Sequence, residues 1–317
     1  LHLPIPSKGY GSLYIEMKYG SNKLSKIQKD KIEMLRNYGN LCMVCYSFEE
    51  AKKTFKRWKI LPKIAYKIFN KFDLILTSNI ESKDFFENLG GKNIYHFGNI
   101  KFLNRINFEE IKNQNENILS TKNFWCAAST HNNEEDFCVK THIKVKKKIK
   151  NVLTIIIPRH IERSEQIKKL CLSNKLKTQI INKNDIIFND TEIVIVNSFG
   201  VLPEYLKHAR SALIGKSLLK KFKNDGGQNP ILAAQMGCKI YHGPFISNFL
   251  DIYKFLNDKN FCKEIFSVDQ LSDNLIHDFK AKKNNLDHSL ELFDKIAESI
   301  SEKTFKKINN FLNYENL

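Results

Sequence analysis

No apolar run in this 317-residue sequence is long enough to cross a bilayer, and no secretory leader is visible, so neither a span nor a leader is expected within it. The first residue is Leu1 rather than Met, which predicts a truncated start. A zinc-type cysteine quartet is missing. The seven cysteines are scattered, and the one Cys-x-x-Cys, Cys42 with Cys45, lies inside a strand-like run over 41–46. Those thiols are expected to be buried and reduced, which implies a reducing compartment. No sequence repeat at fixed period is evident. Acidic residues are scarce: 34 Asp and Glu stand against 51 Lys and Arg, for a formal net charge of +17. Such an excess can attract nucleic acid or an anionic membrane, or merely coat solvated faces. The densest cluster, 144–150, has no aromatics among its lysines, so it is not a base-stacking surface. A solvated helix end or a weak contact with lipid headgroups is expected there.

The length suits two α/β domains with separate cores. Residues 1–53 read as strand, turn, strand, helix, strand, helix. Within them 12–17 and 41–46 form strands, 25–38 has helical spacing, and Ser47 caps the last helix. Residues 54–104 alternate a basic helix over 55–72, a strand over 73–77, a helix over 81–89 and a strand over 93–98. The Asn-rich stretch 105–121 reads as a linker or peripheral helix. From 122 the βα pattern returns, with strands over 124–128, 152–157, 178–181, 192–196, 211–214 and 239–242, and 260–317 reads as largely helical. Repeated βα units predict a parallel, doubly wound sheet.

Two segments carry chemistry. Gly226-Gly227-Gln228-Asn229-Pro230 runs into Ile231-Leu232-Ala233-Ala234-Gln235-Met236-Gly237. This reads as a glycine turn, an Asn229 cap, Pro230 in the first helical position and a Gly237 stop. A turn that admits close backbone approach, followed by a helix start, suits an anionic and phosphorylated ligand. The β-branched run 152–157 ends at Pro158-Arg159-His160, with Arg163 a turn later. Ligands of open α/β sheets sit at the carboxyl ends of strands, so these cations can meet a phosphate.

The order of motifs resembles the Kdo transferases. These glycosyltransferases of GT-B type have two Rossmann-like domains and move 3-deoxy-D-manno-octulosonic acid (Kdo) from CMP-Kdo to lipid A precursors. The resemblance lies in Phe97-Gly98-Asn99-Ile100-Lys101-Phe102, Ala127-Ala128-Ser129-Thr130-His131 with Glu134-Glu135, and Pro158-Arg159-His160-Ile161-Glu162-Arg163. It continues through Asn197-Ser198-Phe199-Gly200, Ile214-Gly215-Lys216-Ser217-Leu218, Gly226 to Pro230, and Gly243-Pro244 with Asn248-Phe249. It implies a remnant of the acceptor-side domain over 54–104, a linker over 105–121 and a CMP-Kdo-binding domain over 122–317. Pro158 and Arg159 are then expected against the CMP phosphate, Phe199 and Gly200 at the cytidine, and Gly227, Asn229 and Pro230 at ribose or phosphate. Ser129 and His131 belong to the same substrate set. Lys101 matches the lysine that stabilises charge during transfer. The resemblance also implies an acceptor such as lipid IVA, no cofactor or metal, and a peripheral place on the cytoplasmic face of the inner membrane.

Two positions depart from the family pattern. Val201 stands where the family usually has Glu, and Ile231-Leu232 stands for its Leu-Glu. Losing a hydrogen-bonding carboxylate costs about 1–3 kcal/mol when the opposing donor is left buried, so weakened donor binding is expected. The Gly-rich segment with the family's catalytic Glu is absent from 1–53, which predicts impaired activity. Those residues instead resemble a VRR-NUC nuclease of the PD-(D/E)xK group, through Tyr14-Ile15-Glu16-Met17-Lys18, the start of the next helix at Gln28, and Cys42-Met43-Val44-Cys45-Tyr46. In that alternative Glu16 binds Mg²⁺, Lys18 polarises water, and nucleic acid is the partner. Both motif sets are incomplete, which favours a joined pair of gene fragments over a natural fusion at Lys53/Thr54. A non-catalytic nucleotide-binding protein is the remaining alternative.

Overall fold

A computed structural model describes residues 2–3, 13–17, 26–38, 41–45, 66, 69–104, 106–281 and 286–314. The chain forms two compact units, Leu1–Asn99 with Glu302–Leu317, and Ile100–Ser301.

In the smaller unit β1 (His2–Leu3) pairs antiparallel with β2 (Leu13–Met17). After α1 (Lys26–Asn37), β3 (Leu41–Cys45) pairs parallel with β2. A second parallel pair, β4 (Ile75–Thr77) and β5 (Ile94–His96), brackets α2 (Ile80–Asn88). The Asn79 side chain caps α2 by accepting from the Ser82 N–H at 2.7 Å. Most of the helix expected over 55–72, and the Ser47 cap, lie outside the described residues.

The larger unit runs α3 (Glu116–Thr121), β6 (Asn123–Thr130), α4 (Glu134–Lys148), β7 (Val152–Pro158), α5 (Ser164–Ser173), β8 (Thr178–Ile181) and β9 (Ile193–Val196). It continues through α6 (Leu202–Leu206), β10 (Ser211–Ile214), α7 (Ile231–Gln235), β11 (Lys239–His242), α8 (Leu250–Asp258), β12 (Cys262–Glu264) and α9 (Val268–Lys280). The part of α10 (Leu286–Tyr314) up to Ser301 completes it. Its sheet has the order β12-β11-β10-β6-β7-β9-β8, and every pairing is parallel. The expected α/β class and parallel, doubly wound sheet are therefore present. Alternate residues of each strand feed opposite cores: Phe124, Cys126 and Ala128 face one layer of helices, Trp125 and Ala127 the other.

One local expectation is corrected and another is refined. Residues 262–264, read as part of a helical region, form the edge strand β12, with Cys262 opposite Ile240. Three residues of Cys-Lys-Glu carry almost no strand signal, so parallel pairing to β11 decides their conformation. The lysines over 144–148 are exposed at the end of α4, as a solvated helix end requires, and three of them also meet carboxylates. Lys144 meets Asp269, Lys146 meets Glu192, and Lys148 Nζ lies 3.7 Å from Asp273 Oδ1.

Strands β6 and β10 lie so close at their exits that Gly215 is obligatory. A Cβ there would collide with the Ser129 carbonyl and the Thr130 backbone. Gly200 has φ +80° but open space around it. Gly215→Ala is expected to cost up to about 3 kcal/mol by overpacking. Gly200→Ala is expected to cost about 1 kcal/mol, from left-handed strain alone. Urea midpoints of the two variants measure this, and equal small losses would contradict it.

Candidate functional site

Strand order reverses between β6 and β10, and their carboxyl ends open the crevice where such sheets hold ligands. One side chain organises that edge. Glu134, in the first turn of α4, is fully buried. Its Oε2 accepts from the N–H groups of His131 (2.9 Å) and Lys216 (2.6 Å), and its Oε1 from Ser217 (2.9 Å) and Leu218 (3.0 Å). Burial pushes this carboxyl up, and the four N–H donors pull against it. The loop held this way grips two others. Lys216 O accepts from the Gly227 N–H at 2.6 Å. Ser217 Oγ accepts from the Gly243 N–H at 2.9 Å, and Ser217 O from the Phe245 N–H at 3.0 Å. Asn248 closes the ring, its N–H donating to Gly226 O and its Nδ2 to Asp225 O at 2.6 Å.

The exits of β7 and β9 complete the edge. Pro158 is buried and Arg159 exposed, with the Arg159 N–H donating to Thr130 O at 3.0 Å. Arg163 forms a bidentate pair with buried Glu135, both N···O distances being 2.8 Å, and also reaches Asn132. This pair ties the start of α4 to the turn after β7. Phe199 and Gly200 lie exposed just past β9, the strand next to β7.

His131 sits among these loops. Its Nε2 is 3.2 Å from Gln228 Nε2, and its ring centroid lies 5.5 Å from that of His160 and 5.4 Å from that of Phe222. Burial first, then the charges of Lys216, His160, Arg159 and Arg163, push its pKa down to about 3. Lys216, a non-glycine residue at φ +58°, is buried and pairs with Asp225 through Nζ at 2.9 Å. Ser129 has φ +55° at the end of β6. Lys101 places its Nζ 4.4 Å from the centroid of the Phe249 ring, and burial lowers its pKa.

The sequence reading of the glycine turn holds in outline. The helix starts one residue later than read, at Ile231 with Pro230 in the cap position. Asn229, just before it, accepts through Oδ1 from the Ile231 N–H at 3.1 Å, and the Gly237 N–H closes the helix end onto Ala234 O. The helix itself has only five residues, so its macrodipole is small. Turn N–H groups and side chains are then the stronger features for an anion. Val201 is 2% exposed inside the core, Ile231 is buried with it, and Leu232 packs against the same cluster. The apolar residue at 201 thus serves packing. In the smaller unit Glu16 lies on β2 opposite Val44 and Gln28 lies on α1, while Lys18 lies outside the described residues. Among the described residues no cluster of three His, Cys, Asp or Glu side chains could hold a metal ion.

The clamp role of Glu134, the Lys216–Asp225 pair and the Gln228–His131 contact were not legible beforehand. The only signal was two adjacent acids opening α4 two residues beyond Ser129-Thr130-His131.

No family model matches the chain. It is 30% identical over 222 residues to a 3-deoxy-D-manno-octulosonic acid transferase of Rickettsia bellii, covering 69% of this chain and 52% of that protein. Over 213 residues it is 26% identical to the transferase of the same name from Aquifex aeolicus, covering 67% and 56%. A probable mitochondrial 3-deoxy-D-manno-octulosonic acid transferase of Arabidopsis thaliana is 26% identical over 221 residues, covering 66% and 48%. Among solved structures, the C-terminal CMP-Kdo binding domain of WaaA from Acinetobacter baumannii aligns with a TM-score of 0.48 and 19% identity, covering 64% of this chain and 96% of that domain. The chain is thus similar in sequence to Kdo transferases and spans about half the length of the curated relatives it matches. The nuclease resemblance of residues 1–53 gains no support from these comparisons.

Glu134→Ala strands buried N–H groups at about 1–3 kcal/mol each. A loss of several kcal/mol in urea unfolding is expected, and a loss near zero would contradict the clamp. A second expectation concerns acid. The His131 pKa is pushed down to about 3 and that of His142 to about 4, whereas free histidine titrates near 6.5. The folded chain therefore binds fewer protons than the unfolded one. This contribution to stability is whole above about pH 6.5 and drains as pH falls toward 4, by at most about 1.4 kcal/mol per pH unit for each ring. Unfolding free energies that stay flat between pH 6.5 and 5 would contradict it.

Proposed function

We propose that the larger unit is the donor-binding part of a Kdo transferase, a GT-B glycosyltransferase that takes Kdo from CMP-Kdo for transfer to a lipid A precursor. The observation that carries this reading is the gathering of Arg159, His131, Lys216 and the Gly226–Asn229 turn on one carboxyl edge, around the β6/β10 reversal. Sequence similarity to Kdo transferases over 222 residues supports it.

In this reading the part of 122–317 that lies in the larger unit, up to Ser301, binds the donor, and the part of 54–104 that lies in the smaller unit, up to Asn99, belongs to the acceptor side. The Arg159 guanidinium pairs with the CMP phosphate at the exit of β7. Phe199 offers an exposed ring to the cytosine, and Gly200 leaves room above its backbone. Ser129, Pro158, Gly227, Asn229 and Pro230 shape the floor of the crevice. Lys101, shielded by Phe249, offsets the charge that grows on the phosphate as CMP leaves. The acceptor is a lipid A precursor such as lipid IVA, met at the cytoplasmic face of the inner membrane. No described helix is long and apolar enough to cross a membrane, and the basic surface suits a peripheral contact with anionic lipid.

Calorimetric titration with CMP tests the donor site. A dissociation constant of about 100 μM or weaker is expected, because Val201 and Leu232 bring no carboxylate to the nucleotide. Arg159→Ala is expected to weaken it a further tenfold or so. Lys101→Ala is expected to leave CMP affinity alone and to slow transfer from CMP-Kdo to lipid IVA by about a hundredfold. No CMP binding at all contradicts the donor site. Low-micromolar binding overturns the weakening assigned to Val201 and Leu232.

A further inference from the structure

The loop that holds Gln228 is pinned on both sides. The Gly227 N–H donates to Lys216 O at 2.6 Å, and Gln228 O accepts from the Tyr253 hydroxyl at 2.9 Å. Its side-chain Nε2 then lies 3.2 Å from His131 Nε2. An amide –NH₂ can only donate, so this contact makes His131 Nε2 an acceptor and leaves the ring proton on Nδ1. Histidine chooses its tautomer by such contacts, and this choice fixes what the other nitrogen can offer.

Resting on the donor-site reading above, we propose that Gln228 is a positioning residue that locks His131 as the Nδ1–H tautomer, so that His131 serves as an uncharged hydrogen-bond donor to an oxyanion of the sugar nucleotide. Among the described residues no group bonds Nδ1, and the ring stands at the exit of β6 between His160 and Phe222. Arg159, Arg163, His160 and Lys216 all act on it electrostatically, and they disfavour a further positive charge on the ring. A neutral donor fits such a place better than an imidazolium. It adds direction to a site whose charge is already supplied by arginine and lysine. The oxyanion is the phosphate, present in CMP and CMP-Kdo, or the sugar carboxylate, present in CMP-Kdo alone.

The test begins with the full chain without ligand. Imidazole ¹⁵N shifts of His131 are expected to show a protonated Nδ1 and an unprotonated Nε2, and Gln228→Met is expected to shift the ring toward Nε2–H. An Nε2–H ring in the unaltered chain overturns the lock. Gln228→Met is next expected to weaken nucleotide binding about tenfold, the equivalent of one hydrogen bond to a charged group. His131→Asn, whose amide nitrogen takes the place of Nδ1, is expected to bind within a few-fold of the unaltered chain and to be indifferent to Gln228→Met. Loss toward both CMP and CMP-Kdo assigns the bond to phosphate, and loss toward CMP-Kdo alone assigns it to the sugar carboxylate. Unchanged affinity of Gln228→Met for both overturns the proposal. If the unaltered chain binds neither nucleotide, the donor-site reading and the ligand half of this inference fail together, and the ¹⁵N signal still decides the lock.

Discussion

A single buried carboxylate holds the candidate site together. Glu134 lies at the start of α4 and gathers N–H groups from its own turn and from the loop after β10, 82 residues away in sequence. That loop then fixes the turn at Gly226–Gly227 and the exit of β11 through its own carbonyls and the Ser217 hydroxyl. Without the carboxylate, backbone donors from the loops after β6 and β10 would lose their acceptor together, and the loops would lose their common reference. An acid is well suited to this place. It supplies two oxygens with several lone pairs, and the start of α4 favours its negative charge.

Two of the cations around the crevice are tied to carboxylates, and a third is exposed at its edge. Arg163 is committed to Glu135, and Lys216 to Asp225. These pairs brace adjoining loops and keep positive charge from accumulating unopposed. Arg159 is exposed at the edge, where an incoming phosphate can reach it. His131 stays neutral in their midst. The site therefore combines fixed dipoles, one outward guanidinium and an uncharged ring, an arrangement suited to an anion that must also be released.

Much of the sheet was legible in the sequence because most of its strands are short apolar runs, β-branched in β7 and β9, set between polar and turn-forming stretches. The bounds read for 178–181, 211–214 and 239–242 coincide with β8, β10 and β11. β12 was not, since it owes its conformation to a neighbour rather than to its own residues. At α7 the helix is shorter than the sequence suggests: the cap falls at Pro230 rather than Asn229, and the stop near Gly237 leaves only five helical residues. The motifs were legible as a set, but their mutual contacts were not. An acid pair at a helix start reads as a dipole partner, and only tertiary placement turns Glu134 toward Lys216. Likewise the sequence shows at Val201 only a missing carboxylate, and the fold adds that its side chain packs in the core.

Backbone amide chemical-shift mapping during titration of the full chain with CMP tests the account most directly. It predicts perturbations confined to the carboxyl edge of the large sheet, at Ser129–Asn133, Arg159–Arg163, Ser198–Val201, Lys216–Leu218 and Gly226–Asn229. Perturbations that leave these segments untouched and fall instead on α1 or on the opposite edge of the sheet would contradict it.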